Sequence, residues 1–424
     1  MGKTIIEKIF ASHTEEKEKV KAGETIWLEL DVRSARDFGG ANVVKNFERH
    51  YGRDAELADV KKTFFTFDCV APANNIPYAV NQQICRVFAR KKGVKVYDVD
   101  AGIGSHLMIE EGLALPGSTV VGTDSHLNIV GAVCAFGQGM GDQDIAFAFK
   151  TGKTWFEVPQ TLKINLEGDM PENCSAKDLT LFLVGKLKSK GALGKAIEFY
   201  GNAIETLSLW ERVTLSSMAT EMGAIISLIP PNGSVIEYCK EKARKRSTDF
   251  EVSYADEDAE YVEELEFNIS ELTPQIACPP RPDNVVAVSS LKPVRVDSVF
   301  IGSCTNGSYE DIKKVAQIVE GKQVAQGVMA KVAPATRRAY RRLLKEGHLE
   351  TLYEAGFIII NPGCGGCASG QVGMTGEGEV QISTSNRNFP GKQGMGKTYL
   401  ASPETAAAAA LLGKIGKGAG IEDI

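Results

Sequence analysis

No stretch of this chain is apolar for long enough to cross a bilayer. The segment Met1 to Val20 holds no apolar run of export type: Ile5, Ile6, Ile9 and Phe10 are interrupted by Glu7 and Lys8. Ile6 stands where a myristoylation signal needs Ser or Thr, so Gly2 implies no acyl anchor. Positive charge is not in excess. Against 54 acidic residues there are 48 Lys and Arg, a net charge of −6, which argues against a general nucleic-acid binder. An even cysteine set is missing too. Nine cysteines, an odd number without an export signal, speak against a disulfide framework and point to a reducing, cytoplasmic compartment. No second Cys-x-x-Cys pair is present, which disfavours a four-ligand zinc site of finger type. Internal repeats are absent by inspection.

The remainder reads as globular. A length of 424 residues suggests two or three domains, and 43% hydrophobic with 24% charged residues suffices for buried cores. Strand candidates (residues 94–100, 119–122, 162–166, 298–302 and 357–361) alternate with helix candidates (79–92, 176–191 and the run after Ser402-Pro403), an α/β pattern of parallel sheets covered by helices. Ser402 and Pro403 suit an N-cap and first helical residue. Composition shifts near Glu157–Pro159 and across the proline-rich Thr273–Pro293 mark candidate boundaries. The basic run Lys240–Arg246, the acidic run Asp256–Glu266 and the arginine-rich helix 336–348 read as solvated surface.

Three cysteines carry the chemistry. Cys304 follows a strand candidate and precedes a capping-box pattern, Ser308 to Asp311, placing its thiol just ahead of a helix N-terminus. Cys364 and Cys367 lie in a glycine-rich turn whose amides can face cluster sulfurs. A lone Cys-x-x-Cys also suits redox or zinc chemistry. Three thiolates on a cubane iron–sulfur cluster leave one iron open to act as a Lewis acid, where four would close it. The remaining cysteines apart from Cys69 read as small buried hydrophobes.

The segments Ile301–Ile312 and Pro362–Cys367 resemble the cluster-ligand segments of aconitase-type hydro-lyases. Gly122–His126, Ser217–Gly223 and Ser385–Lys392 resemble the active-site turn, the catalytic-glutamate segment and the substrate-carboxylate segment of that family, in the same order. The length resembles the large subunit of the two-chain isopropylmalate and homoaconitate dehydratases. The resemblance implies three α/β/α domains around a central cluster cleft (1–157, 158–278 and 279–424). It implies a [4Fe–4S] cluster on Cys304, Cys364 and Cys367. It also implies a small hydroxy-carboxylate substrate, a small swivel-domain subunit that supplies the serine base, and neither nucleic acid nor membrane as partner. It assigns Asp124, Ser125, His126 and Glu221 to proton relay, and Asp68 to an acid pair. Asn386, Arg387 and Lys392 are assigned to substrate binding.

The chain departs from the family pattern around the substrate. Cys69 stands where relatives carry a proton-donating histidine, and Leu30 where they carry His or Gln. The histidine of a third segment matches Ser105 or His106 depending on a one-residue slip; His106 is taken as the candidate. Ser217 replaces an asparagine, and Lys392 an arginine, keeping charge but losing the planar fork. Three readings follow: a hydro-lyase with an altered substrate, a redox or structural cluster protein with Cys69 as fourth ligand, and a degenerate scaffold or RNA binder.

Overall fold

The structure is a computed structural model that describes residues 2–367 and 372–424, without the side chain of residue 421. Among the described residues no helix is long and apolar enough to cross a membrane.

Three sheets organise the chain. The first is five-stranded and parallel, in the order Lys95–Tyr97, Thr63–Thr66, Val32–Arg36, Thr119–Gly122, Phe136–Gly139. Its middle strand is buried on both faces, as a doubly covered parallel sheet requires. Alternation sends Phe65, Ala35 and Val121 to one face, against helices Gly40–Tyr51, Ile76–Lys92 and Asp142–Thr151. Phe64, Val32 and Val120 go to the other, against helix Gly104–Glu110 and the 3₁₀ run Leu127–Val133.

The second sheet is parallel and four-stranded: Ile226–Leu228, Ala196–Tyr200, Thr161–Glu167, Glu263–Asn268. The strand around Leu162–Leu166 is paired on both sides. The acidic run supplies an edge. Glu263, Glu264 and Glu266 line Glu263–Asn268, whose outward charges discourage pairing with another chain. The third sheet takes in Gln275–Ala277, which lies within the proline-rich stretch Thr273–Pro293. Its parallel core runs Lys397–Leu400, Val380–Ser383, Ser298–Ile301, Met329–Val332, Ile358–Ile359.

The first two sheets meet closely at Gly131. A Cβ there would lie 1.7 Å from the Ser227 carbonyl, and the Gly131 carbonyl accepts the Ile229 amide at 3.1 Å. Only glycine permits that approach. Arginines of helix Arg337–Lys345 pair outward: Arg337 with Asp100, and Arg342 with Glu310 and Glu346. That is a solvated, ion-paired face.

Candidate functional site

Parallel strands deliver their C-terminal ends to one side of a sheet, and the loops leaving those ends carry most of the candidate residues. In the first sheet Arg36 ends the middle strand, Asp68 follows Thr63–Thr66, and Asp124 follows Thr119–Gly122. In the third sheet Cys304 follows Ser298–Ile301, Cys364 follows Ile358–Ile359, and Asn386 and Arg387 follow Val380–Ser383. Glu221 arrives differently, on a 3₁₀ turn between helix Leu209–Ser217 and strand Ile226–Leu228.

Cys304, Cys364 and Cys367 are buried and free of disulfides. The Cys364 amide donates to the Asp68 carbonyl at 2.9 Å, fastening the cysteine turn to the first sheet. Gly365 sits at φ +55°, and a Cβ there would come within 2.7 Å of the Ala333 Cβ, so both conformation and space demand glycine. Ser303, just before Cys304, adopts φ +72°, a strained value for a residue with a side chain. Burial pushes the Cys304 thiol far above its ordinary range, with Cys367, Asp124 and Cys364 adding to it. The Cys304 thiol also meets Asn386 Oδ1 at 3.3 Å.

Arg36 is the hub on the first-sheet side. Its Nε donates to Asp68 Oδ1 at 2.7 Å, one terminal nitrogen to Asp124 Oδ1 at 2.8 Å, and the other to Cys364 Sγ at 2.7 Å. The two carboxyls part company. Burial raises Asp68 to about 6 despite Arg36 and the Gly104 amide. Burial also pushes Asp124 up, but Arg36, His126 and the His126 amide outweigh it and hold Asp124 below the ordinary range. Divergent environments of this kind separate an acid from a base.

Across the cleft, Glu221 Oε1 accepts from Arg387 Nε at 2.6 Å and lies 3.2 Å from His126 Nε2. Burial pushes the Glu221 carboxyl up, but His126 and Arg387 together hold it below the usual glutamate range. Ser125 joins this group: Arg387 donates to its Oγ at 3.4 Å, and His126 Nδ1 lies at the same distance. Asn386 donates to the Ser217 carbonyl at 3.4 Å, so the Ser217 backbone, not its hydroxyl, faces that neighbour. Lys392 is half-buried and close enough to Cys367 to lower that thiol's pKa against the effect of burial.

The structure also places three further positions at which the chain departs from the family pattern, Leu30, His106 and Cys69. Leu30 contributes nothing here: it packs in the apolar core with Phe47, Phe65 and Phe149, and Arg36 is what its segment brings to the site. His106 is held by a backbone carbonyl and an aromatic ring, with Asp124 near enough to favour its charged form slightly. Its ring stacks on Trp210 at 5.5 Å, and Nε2, 2.8 Å from the Cys304 carbonyl, must carry the proton because a carbonyl only accepts. Burial lowers His106 to about 4, leaving it neutral. Ser105, its neighbour on the helix, lies near enough to Asp124 to help hold that carboxyl low, although its buried hydroxyl has no hydrogen-bond partner among the described residues. Cys69 is buried beside Cys364: ligand atoms of Asp68, Cys69 and Cys364 lie within 4.8 Å of one another. Hydrogen bonding with Cys364 and burial push its thiol up.

Sequence reasoning missed Arg36, Asp37 and Lys177. The Asp37 carboxylate accepts the amides of Asp68, Cys69 and Val70 at 2.9–3.2 Å, shaping their turn. Buried Lys177 donates to the Thr384 and Ser385 carbonyls at 3.0 and 2.8 Å, just before Asn386. Burial lowers it to about 8, partly offset by Glu221, Cys304 and Cys367.

The donor set fits an iron–sulfur cluster. Three buried, unbridged thiols lie near enough that, added to burial, Cys367 and Cys364 raise the pKa of Cys304 and Cys364 raises that of Cys367, and Arg36, Lys177, Arg387 and Lys392 lie near the sulfurs to balance thiolate charge.

Comparison with known proteins gives concordant matches. The chain matches the model of the aconitase family (aconitate hydratase) over residues 7–295 and 289–413. It is 41% identical to "3-isopropylmalate dehydratase large subunit 1" of Archaeoglobus fulgidus, covering 98% of each chain. It is 42% identical to "Probable methanogen homoaconitase large subunit" of Methanosarcina mazei, over 84% of this chain and 90% of that one. Among solved structures, Thermococcus kodakaraensis aconitase X (holo-form) superposes with a TM-score of 0.51 at 13% identity, covering 90% of this chain and 92% of that one. At that identity the likeness concerns the fold.

Proposed function

Since the chain belongs to the aconitase family, we propose that it is the large, cluster-bearing subunit of a hydro-lyase acting on a small hydroxy di- or tricarboxylate. Candidate substrates are acids of isopropylmalate, homocitrate, maleate or methylmalate type. Its partner is a small swivel-domain subunit, in keeping with the relatives named as large subunits. A reducing, cytoplasmic setting suits nine free cysteines. The carrying observation is the convergence of three buried free thiols on two linked groups of charges, Arg36–Asp68–Asp124 and His126–Glu221–Arg387.

A [4Fe–4S] cluster bound at Cys304, Cys364 and Cys367 supplies Lewis acidity toward a leaving hydroxyl. The protein supplies the rest. Arg387, beside Asn386, grips a substrate carboxylate with its planar fork, and Lys392 adds a point charge. Asp124 stays ionised and orients its neighbours, while Glu221 fixes the His126 ring for proton relay. Cys69 keeps its proton at neutral pH and stands beside the cysteine turn as a donor to the departing hydroxyl, while Asp68, at about 6, is mostly ionised there and completes the acid pair by taking up a proton as the pH falls through 6. In this reading the ranges 1–157, 158–278 and 279–424 are each built around one of the three sheets, with Gln275–Ala277 of the second range joining the third sheet.

The test is anaerobic reconstitution with iron and sulfide, addition of the small subunit, and a screen of maleate, citraconate, isopropylmalate, homocitrate and dimethylmalate at the enoate absorbance band. Turnover of one acid by the pair, and none by the chain alone, is expected. A loaded pair inert toward all five counts against the reading. One observation favours a competing one, a closed redox or structural cluster: Cys69 lies within 4.8 Å of Cys364. In that case Cys69→Ser would lose its fourth iron to mild oxidation much faster than the parent.

A further inference from the structure

Arg36 ends the middle strand of the first sheet, and both neighbouring strands send a carboxylate to it. The guanidinium is nearly buried, with 12% of its side-chain surface exposed. Its planar fork separates three donors by fixed angles, and here each finds a different acceptor: Asp68, Asp124 and a cysteine sulfur from the third sheet. Two carboxylates already balance its charge. The third contact, 2.7 Å to Cys364 Sγ, is therefore not required for neutrality. It sends a permanent cation's N–H to an atom assigned to iron. Hydrogen bonds and positive charge at a ligand sulfur withdraw electron density and favour the reduced cluster.

We propose that Arg36 is a positioning residue for the cluster centre: it sets the orientation of Asp68 and Asp124 and raises the cluster's reduction potential through Cys364. The inference rests on the reading of Cys304, Cys364 and Cys367 as cluster ligands. It makes the central strand of the first sheet part of the electronic environment of a cluster held wholly by the third.

The experiment uses the full chain, reconstituted anaerobically, as parent, Arg36→Lys and Arg36→Gln. Iron and sulfide per chain are measured first, then the midpoint potential by a redox titration followed by electron paramagnetic resonance. Both variants are expected to shift the midpoint to more negative values. Gln should shift it further, because Lys keeps the charge while losing the fork. A purely structural role would change stability and leave the potential alone. If Arg36→Gln fails to fold with two carboxylates left unpaired, the double variant Arg36→Gln/Asp68→Asn removes one of them and is read against Asp68→Asn alone, which carries the same charge loss at position 68. Loaded variants that keep the parent's midpoint overturn the inference alone. A parent that takes up neither iron nor sulfide overturns the ligand reading, and the inference with it.

Discussion

Glu221 has two oxygens with different fates. Oε1 takes both Arg387 and His126, whereas Oε2 is buried and finds no hydrogen-bond partner among the described residues. A buried acceptor left unpaired costs about 1–3 kcal/mol, so a site that keeps one is poised for a ligand or water to meet it. Arg387 stands on the other side of that carboxylate and reaches Ser125 as well. Replacing it by lysine keeps the charge and abolishes the fork. Arg387→Lys in the assembled enzyme should lower kcat/KM by about 100-fold, the scale on which breaking a buried, hydrogen-bonded charge pair runs, with KM rising. Steady-state kinetics on the identified substrate checks this, and an unchanged KM removes Arg387 from carboxylate binding. Arg387, Glu221 and His126 were legible because short motifs carry them. Arg36 was not: in Val32–Arg36 it reads as one more polar residue of a strand, and its partners lie at positions 68, 124 and 364.

At the scale of elements, helix Gly104–Glu110 shows why one segment resisted reading. Successive helical residues point about 100° apart, so a one-residue slip exchanges a hydroxyl that helps hold Asp124 low for a ring stacked on Trp210. The same helix ends in Glu110, buried, whose Oε1 accepts from Thr336 Oγ1 at 2.9 Å. Burial raises this carboxyl from 4.5 to about 7. A folded-state pKa above the unfolded one gives stability that is full below about 4.5 and lost as pH rises through 7. Glu110→Gln cannot ionise and still accepts from Thr336. Between pH 5 and pH 8 the parent should therefore lose stability relative to the variant, by at most about 3 kcal/mol. Denaturation midpoints of both proteins at each end of that range decide it; parallel pH dependences would exclude Glu110 as the source. Other elements announced themselves. The helix Tyr309–Val319 begins at the expected Ser308–Asp311 capping box, and Pro403–Leu412 begins at Ser402. Local chemistry writes such boundaries into the sequence, whereas the face a short helix turns inward is decided by what packs on it.

Over the whole molecule, the site belongs to no single sheet. Cys304, Cys364 and Cys367, the proposed ligands, leave the third sheet, Arg36, Asp68 and Asp124 leave the first, and Glu221 sits beside the second. Lys177, at the start of a helix beside the second sheet, reaches the carbonyls just before Asn386. Pattern marked one or two strands of each sheet and the family resemblance implied the three-part layout; the ties between the sheets were hidden, because a buried lysine or arginine looks like a surface residue until its distant acceptors are known. On the proposed ligand reading, these ties would make iron a structural element as well as a chemical one. A bound cluster that only the folded chain can hold stabilises that fold by mass action. Its removal under anaerobic chelation should act first where the cysteine turn meets the first sheet, at the Cys364 amide on the Asp68 carbonyl and the amides of Asp68, Cys69 and Val70 on Asp37. Strand Val380–Ser383, hydrogen-bonded on both sides, should keep its protection. Hydrogen–deuterium exchange of loaded and iron-free chains reads the two regions separately. Faster exchange confined to the Asp68–Val70 and Cys364 amides is the expected result. Equal exchange in both forms would mean that the cysteine turn is held by protein contacts alone, and that the cluster adds chemistry without adding order.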